Sequence, residues 1–389
     1  MKNTEKKIYE ELEPHNTICF GPVFSDFGWE VSYISGFIKK YKKDNPHKIV
    51  FVATRENRKE LYENAGLNDV FTFKIDGDYA TVTPRSHSVY KVDSKNVNVP
   101  IPIKVEDEFK YVKDRISDTH KNVKFHSFVD LVFSFQPDFS LQEFDYSFKT
   151  HDDNSKLIQD IIEKNPNKKV VTIFSRQRVD LDHRNLGVNH WNHLLRRLSD
   201  LDSHIFLIAG VSPAYVKPDP HYKNMYNLED MCGDNPNVTI LALMIEAVRR
   251  SHFTFGPQTA GILLSMVMQV PTLYFGTDYN LVSINYNPFK SQSDFIQVKV
   301  KHPSGEYDIN PDELYRRITE LKLRDPNQII VTPGPHTIDI EYRIPELHPL
   351  LVGLTGYQKI QKIRELNRNP SKSIPLIEPV PAVDTVITK

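Results

Sequence analysis

Val-Thr-Ile-Leu-Ala-Leu (Val238–Leu243), Met-Ile-Glu-Ala-Val-Arg-Arg-Ser (Met244–Ser251), His-Phe-Thr-Phe-Gly-Pro-Gln-Thr-Ala-Gly (His252–Gly261), Ile-Leu-Leu-Ser-Met-Val-Met-Gln (Ile262–Gln269) and Val-Pro-Thr-Leu-Tyr-Phe-Gly (Val270–Gly276) follow one another without a break. The run reads as strand, helix, strand, tight turn, helix, strand. Parallel strands need crossover helices of this kind, and ligands bind beyond the carboxyl ends of such strands. The turn Gly256-Pro257-Gln258-Thr259 falls at one such end, and Ala260 opens the next helix. A helix start offers free backbone N–H groups and the positive end of a dipole, which suits a phosphate. Gly256 and Gly261 allow a ligand or a neighbouring element to approach the backbone. The plainer reading is an ordinary αβ repeat whose helix is capped by Gln258 or Thr259.

Working outward, Lys168 to Phe174 and His204 to Ala209 read as strands and Trp191 to Leu198 as a helix. Phe295 to Val300 and Asp312 to Leu323 add a strand and a helix. Toward the N-terminus, Thr17 to Phe20, Lys48 to Ala53 and Val70 to Ile75 read as strands. Val31, Tyr33, Ile34, Phe37, Ile38 and Tyr41 recur at helical spacing within Trp29 to Lys43. Arg55 to Asn64 reads as a helix closed by Gly66, with further helices at Val105 to Ser117 and Asn154 to Lys164. The expected fold is α/β, with two Rossmann-like domains facing a cleft: residues 15–164 and 165–325, joined near Asn165-Pro166-Asn167. Residues 1–14 are expected to be a solvated leader and 326–389 an irregular, partly disordered C-terminal extension, its end rich in proline (Pro375, Pro379, Pro381).

The 389 residues carry 49 Lys and Arg against 50 Asp and Glu, so no global basic field draws nucleic acid. Two cysteines, Cys19 and Cys232, exclude a disulfide framework and suit a reducing, cytoplasmic compartment. No apolar run reaches the ~18 residues of a membrane span. Met1 to Pro14 lacks the apolar core of a secretory signal.

Ser175-Arg176-Gln177-Arg178 follows the strand that ends at Phe174. Two guanidiniums at a parallel strand end clamp a diphosphate through bidentate hydrogen bonds, and they favour departure of a nucleotide leaving group. His183-Arg184 and His190-Trp191 extend this polar loop; the alternative is a solvated loop with surface ion pairs. Gly210, ending the strand His204 to Ala209, is a place where a base or ribose packs, though a glycine there is also common in any parallel strand. Glu246 stands where it would accept from a ribose hydroxyl. Asp76-Gly77-Asp78, Asp180-Leu181-Asp182-His183 and His190-Trp191-Asn192-His193 contain metal-ligand types. None has the spacing of a helical zinc site, and no metal is expected. Gly-x-Gly-x-x-Gly after a strand, Walker A and Gly-x-Ser-x-Gly are all missing, which argues against dinucleotide oxidoreductases, P-loop kinases and α/β hydrolases.

The turn, the small-residue helix start and the strand Pro-Thr-Leu-Tyr-Phe-Gly resemble the donor domain of GT-B glycosyltransferases, most of all the heptosyltransferase-like branch. That branch has Asp-Ser/Thr-Gly-x-x-His at the turn; here Pro257 and Gln258 precede Thr259, and Leu263 and Leu264 stand where the His would be. The resemblance covers roughly residues 15 to 325. It implies a nucleotide sugar as co-substrate in the second domain, an acceptor on the first, and transfer without an obligatory metal or other cofactor. Arg176, Arg178 and the Gln258-Thr259 helix start would hold the diphosphate. The first loop of the branch carries a catalytic Asp, and within Gly21-Pro22-Val23-Phe24-Ser25-Asp26-Phe27-Gly28-Trp29-Glu30 the match is Asp26, with Glu30 second. Either would deprotonate an acceptor hydroxyl; alternatively Ser25 or Asp26 caps the helix that follows. Phe-Gly-Trp-Glu is also similar to glycosyltransferase-like proteins of bacteriophages, which adds a modified nucleic-acid base to glycans as an acceptor. The rivals are a nucleotide-sugar epimerase on the same fold and a non-catalytic binding or scaffold protein with a decayed donor site.

Overall fold

The computed structural model describes residues 4–23, 27–73, 79–81, 89–92, 98–101, 105–126, 143, 148–177, 184–276, 289, 291–300 and 306–321. The chain divides into two compact units, Met1–Ile330 and Val331–Lys389, and every described residue lies in the first. Asp26, Arg178, both Asp-x-Asp pairs and the expected C-terminal extension fall outside the described residues.

Helix α1 (Thr4–Leu12) precedes β1 (Thr17–Val23). Helix α2 (Phe27–Trp29) then runs through a π-helical turn (Glu30–Ile34) into α3 (Ser35–Asp44). Strand β2 (Ile49–Arg55), a 3-10 turn (Glu56–Leu61) and β3 (Asp69–Phe73) follow. Three short strands, β4 (Tyr79–Thr81), β5 (Val89–Val92) and β6 (Asn98–Ile101), pair antiparallel, before α4 (Val105–Ser117) and β7 (Lys124–His126). The second half comprises α5 (Asp152–Glu163), β8 (Lys169–Phe174), α6 (Val188–Ser199), β9 (His204–Ala209) and β10 (Met225–Asn227). It continues with α7 (Ile240–Arg250), β11 (Phe253–Pro257), α8 (Ala260–Val267), β12 (Thr272–Gly276) and β13 (Ser293–Gln297), and ends with β14 (Lys299–Val300), β15 (Tyr307–Asp308) and α9 (Pro311–Thr319).

Two all-parallel sheets organise these elements. The first has the order β3-β2-β1-β7 and the second β10-β9-β8-β11-β12-β13. Counted within the second half, that is the doubly wound order 3-2-1-4-5-6, which reverses between β8 and β11; a crevice opens outside the carboxyl ends of the strands where such an order reverses. Side-chain alternation explains why these strands read as continuous apolar runs. Val170 and Phe174 of β8 and Ile205 and Leu207 of β9 enter the core shared with α7 and α8. Val171, Ile173, Phe206 and Ile208 point the other way, into a core with Trp191 and Leu194 of α6 and Leu314 of α9. The same first core contains Ile18, Phe20, Val50 and Val52 of the first sheet, so both halves meet in one apolar interior. Within it, α8 packs against α2 and the π-helical turn.

Three sequence expectations are corrected. Val238 to Leu243 is not a strand: Thr239 caps α7, its hydroxyl accepting from Ala242 N–H at 3.1 Å. Helix α7 is buried from Leu241 to Val248, and an apolar helix enclosed on nearly all sides hides its 3.6-residue period. The strand beside β9 is instead the short β10. Arg55 to Asn64 holds only a 3-10 turn after β2. The leader is folded: α1 buries Ile8 and Leu12, and Tyr9 meets the rings of Phe37 and Tyr41 edge-on at 5.6 and 4.9 Å. Lys48 Nζ donates to the carbonyls of Leu12 (2.9 Å) and Glu13 (2.8 Å), filling acceptors that a helix end leaves open.

Candidate functional site

The carboxyl ends of β8, β9 and β11 and helix α7 carry the second-half residues that the sequence singles out, and these divide into two groups. One group is consumed by the fold. Ser175 is fully buried, its Oγ donating to Val216 O at 2.7 Å while Val216 N–H donates to Ser175 O at 2.8 Å. Arg176 is turned inward: its guanidinium bonds Asn185 Oδ1, and its carbonyl accepts from Trp191 Nε1 at 3.2 Å. At 8% exposure it is not the open clamp that its place in the loop suggested. Gly210 is explained by Tyr215, since a Cβ there would lie 2.2 Å from the ring. Glu246 is enclosed in α7 and accepts from Thr150 and Arg249, while Arg249 also bonds Phe148 O. These contacts bind the start of the second half to α7 and occupy the carboxylate assigned to a ribose.

The other group lies at the β11–α8 junction. Pro257 ends β11, Thr259 caps α8 through its hydroxyl, and Ala260 is the first helical residue. The glycines here serve neighbouring elements: a Cβ at Gly256 would lie 2.8 Å from Phe174 O, and one at Gly261 would lie 2.2 Å from the Phe174 ring. Gln258 is fully buried; its N–H donates to Phe275 O at 3.0 Å, and its carbonyl accepts from Arg184 at 2.7 Å. Among the described residues, its side-chain Oε1 and Nε2 have no hydrogen-bond partner, nor has Nε of Arg184. An unpaired buried amide is costly; among these residues, other buried polar atoms of the second half, Asn227 Nδ2 and Tyr307 OH included, also lack a partner, but at Gln258 both side-chain atoms do. Arg184, noted in the sequence only as part of a polar loop, is the cation that reaches the switch point among the described residues.

Glu30 comes from the first half, on the π-helical turn that packs against α8. Its Oε1 accepts from Thr54 Oγ1 (3.0 Å) and Tyr62 OH (2.9 Å), and its Oε2 lies 3.9 Å from Arg55 and 3.6 Å from Arg58. Burial raises its proton affinity, against the pull of the two arginines and the two hydroxyl donors. The Arg58 guanidinium also sits over the Phe27 ring at 4.6 Å. A carboxylate so enclosed holds the turn and β2 together.

A further group escaped the sequence reading. Glu229, just beyond β10, accepts from Ser212 N–H (2.6 Å), Ser212 Oγ (2.7 Å), Tyr215 OH (3.1 Å) and Lys217 Nζ (2.8 Å). Burial works against its charge, but these donors hold the carboxyl below its ordinary value. The loop after β9 is thereby fixed. Nothing local in the sequence pairs Glu229 with Ser212 or Lys217.

Among the described residues, no three His, Cys, Asp or Glu side chains gather as a metal site. His193 of the His-x-x-His stretch bonds Asp312 at 3.1 Å. Among the same residues, no helix is long and apolar enough to cross a membrane.

No protein-family model matches the sequence, and no curated protein matches it either. Solved structures do. A glycosyl transferase family 9 protein from Veillonella parvula superposes with a TM-score of 0.51 at 9% identity, covering 78% of this chain and 97% of that one. The E. coli ADP-heptose LPS heptosyltransferase II gives 0.47 at 10% identity over 78% and 98% of the two chains. The E. coli heptosyltransferase WaaC with ADP-2-deoxy-2-fluoro heptose gives 0.40 at 10% identity over 78% and 99%. Two parallel sheets, the second in doubly wound order, and the superposition on the Veillonella protein over nearly its whole length give this chain the GT-B fold of the heptosyltransferase-like glycosyltransferases.

Proposed function

We propose that this chain is a glycosyltransferase that moves a sugar from a nucleotide-sugar donor to an acceptor hydroxyl on a glycan or a modified nucleic-acid base, without a metal. The observation that carries the proposal is the β11–α8 junction: a helix start, a guanidinium and an unpaired amide converge where the strand order reverses, in a chain with the GT-B fold. Residues 165–325 hold the donor and residues 15–164 the acceptor. The acceptor oxygen attacks the anomeric carbon, the bond from that carbon to the diphosphate oxygen breaks, and the hydroxyl proton passes to a carboxylate. Charge grows on the departing diphosphate, where Arg184 and the first N–H groups of α8 supply the positive field that a metal would otherwise provide. Glu30 is enclosed and engaged, which favours Asp26, the other candidate in the same loop, as the base. The thiols Cys19 and Cys232 are unpaired, in keeping with a cytoplasmic enzyme.

The test is a thermal-shift screen of ADP, GDP, UDP and CDP against the wild type and Arg184→Gln. A ligand bound only by the folded state at a hundred times its Kd stabilises by about 2.7 kcal/mol. One diphosphate should raise the melting temperature of the wild type and fail to raise that of the variant. No shift with any of the four would remove the donor site. Binding without transfer to any acceptor would identify a nucleotide-sugar binding protein instead.

A further inference from the structure

Two halves built on separate sheets turn about their junction unless the interface between them is large and apolar. Helix α7 of the second half is held at both ends by groups outside that half's sheet. At its amino end the Thr239 hydroxyl donates to Glu60 Oε1 at 2.5 Å, in the turn after β2, and Glu60 is itself buried. At its carboxyl end Arg249 donates to the carbonyl of Phe148, just ahead of α5. The Phe148 ring centroid lies 4.3 Å from Nζ of the buried Lys39 in α3. Phe148 is thus gripped by one helix from each half. Thr150 adds a bond to Glu246, which Arg249 also meets. Thr239 and Arg249 are ten residues apart, a span of about 15 Å along a helix. The neighbouring helix α8 adds a third contact, against α2 and the π-helical turn. Ile34, Leu61 and Tyr62 of the first half share one buried apolar cluster with Leu241, Ile245 and Leu264 of the second. Both halves fall within a single compact unit, Met1–Ile330.

A rod pinned at one point swings about it; a rod pinned at two distant points moves with what it is pinned to. We infer that α7 locks the two halves into one rigid body, so that a ligand meets them at a fixed separation and neither half rotates to close on it. Parting them would bare the shared apolar cluster to water and leave the Glu60 carboxylate without its Thr239 donor. The lock is a property of the framework and does not rest on the donor-site reading.

Each half carries one of the two tryptophans, Trp29 in α2 and Trp191 in α6. The full chain is unfolded in urea as Trp29→Phe and as Trp191→Phe, so that fluorescence follows one half while circular dichroism follows the whole. Within each variant the two signals should share one midpoint, as a single cooperative body requires. A fluorescence transition separated from the dichroism transition in either variant would overturn the inference. A second measurement places spin labels at Ser117→Cys in α4 and Arg196→Cys in α6, both exposed, in a Cys232→Ser chain. The distance between them is read by double electron–electron resonance without ligand and with ADP, UDP or GDP. One narrow distribution should appear, and no nucleotide should move it. Two populations, or a shift of more than about 2 Å on binding, would overturn the inference. Adding Thr239→Val and Arg249→Met to the labelled chain should broaden the distribution; an unchanged width would deny α7 its part in the lock. If no nucleotide raises the melting temperature, the donor reading falls, and the urea transitions and the ligand-free distribution still decide this inference.

Discussion

The Thr239 hydroxyl works in two directions: it accepts from Ala242 N–H at 3.1 Å, closing the first turn of α7, and donates to Glu60 Oε1 at 2.5 Å in the turn after β2. One side chain therefore caps a helix of the second half and ties it to the first. Thr239→Val keeps the shape and loses both bonds, and should cost about 1–2 kcal/mol. Thr239→Ser should cost little. Urea midpoints at constant slope would show this; a valine variant as stable as the wild type would deny the hydroxyl any part in joining the halves.

Glu30 makes a pH prediction with a definite sign. Burial raises the carboxyl's affinity for its proton in the folded chain above the ordinary carboxylate value. The folded state then binds more protons than the unfolded one between those two values, so stability is fully present below the ordinary value and falls as pH rises through the raised one. Unfolding free energy measured from about pH 4 to 8 should show this decline in the wild type and a flatter profile in Glu30→Gln. Parallel profiles would assign the slope to another group.

Asp26→Asn should lower turnover by about 10²- to 10⁴-fold, the usual contribution of a general base, with nucleotide affinity and melting temperature unchanged. Glu30→Gln should leave the larger part of the activity in place. The opposite ranking would move the base to Glu30.

Gly261→Ala should destabilise by about 1–3 kcal/mol, because the new methyl would run into the Phe174 ring. Trimming the obstacle in the double variant Gly261→Ala, Phe174→Leu should recover part of the loss relative to Phe174→Leu alone. Additive losses in that cycle would mean that the two positions do not press on each other.

How much of this was legible in the sequence varies with distance along the chain. The strand His204–Ala209 and the helix Val105–Ser117 match their expected bounds, because each has a clear apolar pattern and local punctuation. The apolar run Val238–Leu243 does not, since a short, mostly apolar run looks alike as strand or helix; the informative residue is Thr239 within it, which caps α7. Ile8 and Leu12, four residues apart in a charged segment, were the sign that the leader folds.

The candidate site shows the same limit. Strand ends were found, so Pro257, Gln258, Thr259 and Ala260 were placed at a β–α junction correctly. Side-chain direction was not readable. Ser175 and Arg176 turn inward because Val216 and Asn185 meet them, and Glu246 is taken by Thr150. Those partners lie elsewhere in the chain, and no local pattern announces them.

The pairing of β7 with β1 has a consequence for biosynthesis. Ile18 sits beside Lys124 and Phe20 beside His126, so the first sheet gains its fourth strand only when the chain has been made that far. Helix α1, docked already by Tyr9 and Lys48, gains its ion pair only then, from Glu11 to Lys124 at 2.7 Å. Through most of its synthesis the amino-terminal half leaves one side of β1 without a neighbour, a template open to wrong partners. A nascent chain paused before residue 124 should be the form that most needs a chaperone.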